Sequence, residues 1–126
     1  MRVLATALLL LSVLQAFPAL AQEGFPLDGT WRGQWGSEGE KTLVVIVMAW
    51  DGEHITGRIN PGRNAVNISA AELDASNWQV RIEATARSGE PIVIAGVLEN
   101  IGSYQRTITG TWTIGGVESP LILTRE

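Results

Sequence analysis

The chain has 126 residues, nine of them basic and thirteen acidic, for a net charge of −4, and it contains no cysteine. Its basic residues are few and scattered singly, which makes nucleic acid and anionic membrane surfaces poor partners. The missing cysteine excludes disulfides, thiolate metal sites, a cysteine nucleophile and a lipid-modified cysteine, so a folded domain must rest on its apolar core.

Met1 to Ala21 has the layout of a secretory signal peptide. Arg2 supplies a positive start. Val3 to Val13 is apolar apart from Thr6 and Ser12, Phe17-Pro18 breaks the run, and Ala19-Leu20-Ala21 is a small-x-small cleavage site. The run is shorter than the ~20 residues a membrane helix needs, so no transmembrane span is expected in the mature chain. Residues 1–21 are read as the leader and 22–126 as one domain, a common size for a single core. An exported chain without cysteine reads as bacterial, with the periplasm and the medium both open.

After residue 22 no helical period stands out. Period-two patterns bounded by turn residues recur instead, the signature of an all-β sandwich or barrel. Gly29 to Trp35 is a strand with Gly29, Trp31, Gly33 and Trp35 on one face. Lys41 to Trp50 is apolar on both faces, as a doubly buried strand or an outer patch used for association would be. Asp51-Gly52 reads as a two-residue hairpin, followed by a strand over Glu53 to Asn60 with Ile55, Gly57 and Ile59 inward. Arg63 to Leu73 is ambiguous: Val66, Ile68 and Ala70 suggest a strand, and a short helix over Ser69 to Leu73 competes. Further strands are expected over Trp78 to Arg87, Ile92 to Glu99, Thr107 to Ile114 and Val117 to Arg125. Pro120 inside the last implies an edge or bulge position. Consecutive hairpins of similar length favour a single-domain up-and-down antiparallel barrel of about eight strands.

Four glycines fall on apolar faces: Gly29, Gly57, Gly96 and Gly110. Glycine weakens a strand by about 0.5–1 kcal/mol relative to alanine. Sharp coiling of a small barrel offsets that, because it needs positions without a side chain. Leu27-Asp28-Gly29-Thr30-Trp31 and Ile108-Thr109-Gly110-Thr111-Trp112 are near-copies. Gly29-Thr30-Trp31 resembles the Gly-x-Trp motif of the calycin superfamily, the lipocalins, fatty-acid-binding proteins and avidins. That resemblance implies a barrel in which Arg125, near the chain end, packs across Trp31. It does not imply biotin binding, since the polar set an avidin offers is not recognisable.

Five tryptophans, Trp31, Trp35, Trp50, Trp78 and Trp112, are a high density for this length. They can line an apolar cavity or fill the core, and Trp35 and Trp50, beside turns, suit a cavity mouth. His54 is the only histidine and faces outward in this register, too little for a metal site or a positioned base. Arg32, Arg58, Arg81 and Arg106 are expected to face solvent beside glutamates. No cofactor is implied, and no nucleophile, phosphate-loop or dinucleotide motif is present. The first functional reading is an exported, non-enzymatic binding protein holding a small apolar or amphipathic ligand among these tryptophans. The alternative is a filled barrel that binds a protein partner, as an envelope assembly factor or secreted inhibitor, through strand 43–50. An enzyme on the same barrel is the third reading, with no residue set behind it.

Overall fold

The computed structural model describes residues 25–103 and 105–126; the expected leader and Tyr104 lie outside the described residues. The strands are β1 Gly29–Trp35, β2 Thr42–Trp50, β3 Ile55–Ile59, β4 Val66–Asp74, β5 Gln79–Thr85, β6 Pro91–Glu99, β7 Thr107–Ile114 and β8 Val117–Arg125. Each pairs antiparallel with the next, and β1 also pairs with β8, so the sheet closes into an eight-stranded barrel. Among the described residues no helix is long and apolar enough to cross a membrane.

Alternation decides which side chains enter the barrel. Trp31, Ile46, Ile59, Ile82, Ile94, Ile108 and Leu123 are completely buried or nearly so, one from each of seven strands. From the eighth strand, β4, Ile68, Ala71 and Leu73 pack against this core. No polar or charged residue is buried among the described residues, so the interior is filled by hydrocarbon and indole. A small eight-stranded barrel is just wide enough for its own side chains to do this.

The strand faces sharpen the reading of β2. Val44, Ile46 and Met48 point inward, while Leu43, Val45, Val47 and Ala49 form the outer face. Any partner reading of strand 43–50 therefore rests on that second set.

Four sequence expectations are corrected. Asp51-Gly52 is not a two-residue hairpin: β2 and β3 are joined by residues 51–54, closed by the Asp51 N–H donating to the His54 carbonyl at 3.1 Å. The Asp51 carboxylate accepts the N–H groups of Glu53 and His54, and this tightens the longer loop. The helix over Ser69 to Leu73 does not form, because that segment lies in β4 and pairs with β5. Trp78 does not begin β5 but sits in the preceding turn at φ 59°. Pro120 occupies no open edge. Its carbonyl accepts from Gly36 N–H at 3.0 Å, just past the last β1–β8 register pair, Trp35↔Leu121. In an antiparallel strand a residue's N–H and C=O point the same way, so the missing donor faces the end of β1 and breaks no ladder bond.

The connections alternate between the two ends of the barrel. The mouth end carries the lead-in at Phe25 to Asp28 and the β2–β3, β4–β5 and β6–β7 connections; the base carries the other four. Gly115 and Gly116 turn the β7–β8 hairpin at φ 55° and 83°, the primed geometry that matches strand twist.

Candidate functional site

The tryptophans do not form one constellation. Trp31 lies wholly inside, its indole N–H donating to the Leu27 carbonyl at 2.9 Å, and Leu27 is itself fully buried. Trp35 and Trp112 stack at 4.9 Å with their planes 6° apart at the base. Trp112 is 3% exposed, and its indole nitrogen has no hydrogen-bond partner among the described residues. Trp78, at the mouth, is half-buried, and its carbonyl accepts the Leu98 N–H at 2.9 Å. Trp50 is different. It is 38% exposed at the mouth and stacks on Phe25 at 4.5 Å and 16°.

The lead-in positions that stack. The Asp28 N–H donates to the Phe25 carbonyl at 3.0 Å, which folds Phe25 to Asp28 into a turn. Asp28 then accepts the Trp50 N–H on its carboxylate. Arg106 holds the turn from the other side. It is half-buried rather than solvent-facing, and it donates to the carbonyls of Pro26 and Ile101 at 3.1 and 3.0 Å. Of the other arginines, Arg32 pairs with Glu126 and Arg81 with Glu83, both exposed, and such pairs contribute little.

Gly29 has φ 123°, and a side chain there would meet the Arg125 guanidinium at 2.7 Å. Arg125 is the cross-strand partner of Trp31, so arginine, glycine and tryptophan lie together at the β1–β8 seam. The other inward glycines answer a different need. A β-carbon on Gly57, Gly96 or Gly110 would strike a backbone carbonyl of the adjacent strand: Val47, Thr109 and Ala95 respectively. Gly96 and Gly110 are register partners, so β6 and β7 approach closely there.

Beside Trp50 the barrel wall is unzipped. β3 and β4 share only two register pairs, Arg58↔Asn67 and Ile59↔Val66, whereas every other adjacent pair shares five or more. The cause lies in β4. Its register on β5 jumps between Ile68↔Ala84 and Ala70↔Glu83, leaving Ser69 as a bulge, and Ser69 Oγ donates to the Glu83 carbonyl at 3.0 Å. A bulge bends its strand, and beyond it β4 makes no ladder with β3. The opening is a cleft of about 730 Å³ lined by Phe25, Trp50, Ile55, Ile68, Ala71 and Leu73, with Glu53, His54 and Glu72 on its rim. A larger hollow of about 810 Å³ lies over β4 to β6, lined by aliphatic, small, polar and charged residues and no aromatic ring.

The electrostatics of the mouth are acidic. Hydrogen bonds from the backbone of His54 and then Glu53 lower the Asp51 carboxyl below its usual 3.8. Asp74, at the far end of β4, is lowered by the Ser76 hydroxyl and then the Ser76 N–H. No group of three or more metal-ligating side chains occurs among the described residues, and His54 stands alone on its loop. Compared with protein families, characterised proteins and solved structures, the chain matches none.

The sequence suggested both Trp35 and Trp50 for a cavity mouth; Trp50 lies at the cleft, Trp35 lies at the base, and Phe25, Asp28 and the β4 wall were missed. The lone signal for the wall was the failure of period two near Ser69.

Proposed function

We propose that this is an exported, non-enzymatic binding protein with a calycin-like barrel, working in the periplasm or the medium. It holds an apolar or amphipathic ligand in the β3–β4 cleft rather than in the barrel axis. The observation that carries the reading is the bulge-opened seam beside an exposed, pre-stacked Trp50. Its floor is apolar and its rim polar, the usual make-up of a small-molecule site. The calycin kinship is supported by Gly29 and Trp31 on β1 with Arg125 opposite. The test is a titration with laurate, dodecylamine and aromatic acids followed by tryptophan fluorescence. Trp50→Ala is expected to weaken binding roughly tenfold or more, from lost stacking and burial. No spectral response to any of these compounds would defeat the reading.

A second reading, a protein partner on the outer wall, is favoured by one observation. Leu43 is 80% and Ile122 46% exposed, and both are register partners of Gln34, so they flank β1 as the walls of an apolar groove. Leu43→Lys together with Ile122→Lys is expected to abolish self-association or co-purification with an envelope protein while leaving the melting temperature in place. A protein whose associations ignore both changes contradicts this second reading.

A further inference from the structure

The cleft presents more than apolar side chains. From Ile68 to Asp74, β4 pairs only with β5 among the described residues, and Ile55 to Gly57 of β3 pair only with β2. Every second residue of an antiparallel strand turns its N–H and C=O to the unpaired side. Two strand edges with unmatched backbone groups therefore face one cleft, a template for another strand. Hydrocarbon ligands leave those groups unmatched, whereas a peptide backbone matches them. The apolar side chains of Ile68, Ala71 and Leu73 lie on the inner side of this edge, ready to receive alternate side chains of such a strand.

Charge narrows the occupant further. Glu53 and Glu72 stand on the rim, and Asp51 and Asp74 belong to the same end of the barrel. The register partner of Glu72 on β5 is Arg81, whose guanidinium is engaged by Glu83. Among the described residues that line the cleft, His54 is the one that can carry a positive charge.

We infer that the cleft binds an extended peptide with alternating apolar and basic residues, which pairs as a strand along the open edge of β4. This deepens the cleft reading and rests on it. Main-chain hydrogen bonds supply affinity, the apolar side chains enter beside Trp50, and the basic ones meet the glutamate rim.

The experiment uses the purified protein and a dye-labelled, end-capped hexapeptide of alternating valine and lysine, read by fluorescence anisotropy. Three comparisons accompany it: the same peptide N-methylated at alternate residues, a valine–glutamate peptide, and dodecylamine followed by tryptophan fluorescence. The valine–lysine peptide is expected to bind. N-methylation is expected to weaken it roughly tenfold or more, the loss of about two backbone bonds. Glu72→Lys, an exposed change, should reverse the preference towards the valine–glutamate peptide without moving the melting temperature. Equal binding of the N-methylated peptide overturns strand pairing, and an unreversed charge preference overturns the glutamate rim. Trp50-dependent binding of dodecylamine without peptide binding removes the peptide inference and leaves the cleft reading standing. Failure of both ligands removes both.

Discussion

At the residue scale the barrel depends on where side chains are missing. Gly110 stands against the Ala95 carbonyl and the Gly96 α-carbon, both backbone, so neither can swing aside. Gly110→Val should destabilise the fold by about 1–3 kcal/mol or more, through overpacking, read as a lowered denaturant midpoint. An unchanged midpoint would mean that β6 and β7 do not approach as described. The inward side of this glycine was legible from its place among Ile108, Trp112 and Ile114. What it avoids was not: the obstacle is a carbonyl on another strand, fixed by register. Asp51 and Asp74 act at the same scale. Their folded pKa values are lowered, so their contribution is present above the usual 3.8 and is lost as pH falls through the lowered values. Asp74→Asn should lower the melting temperature at neutral pH, and the gap from the parent should close under strong acid. A gap constant with pH would show that the charge is not what Ser76 binds.

At the element scale β4 decides the site. Ser69 shifts the side-chain parity: Ile68 faces in before it, and Ala71 and Leu73 face in after it. Neither period two nor a helical period survives such a shift, and this is why residues 63–73 resisted assignment while Thr107 to Ile114 was readable in full. Deleting Ser69 would place Ile68↔Ala84 and Ala70↔Glu83 in uninterrupted register. The deletion variant should fold, extend the β3–β4 ladder past Gly57, and lose ligand affinity as the cleft closes. Undiminished binding would locate the ligand elsewhere. Pro120 teaches the converse. Proline suggested an open edge or a bulge, but it stands where β1 ends, inside a closed sheet. Asp51-Gly52 misled because the Asp51 side chain caps two further N–H groups, lengthening a turn that the dipeptide alone would have made short.

At the scale of the whole molecule, the count and order of strands were legible because each hairpin is short and each inner face apolar. Closure was suggested by the glycines and by Arg125 opposite Trp31. The filled interior was not legible, since five tryptophans can line a hollow as readily as they can occupy one. Here they divide: Trp31 and Trp112 fill the core, Trp35 stacks at the base, Trp78 closes a turn, and Trp50 is left at the cleft. The central claim is a barrel solid along its axis and open along one seam. Residue-resolved amide hydrogen exchange on the free protein tests it most directly, because exchange reports which strands lack partners. The prediction is slow exchange throughout β6 and β7, while within β3 and β4 alternate residues of Ile55 to Gly57 and of Ile68 to Asp74 exchange fast. Protection as strong along β3 and β4 as along β6 and β7 would contradict it.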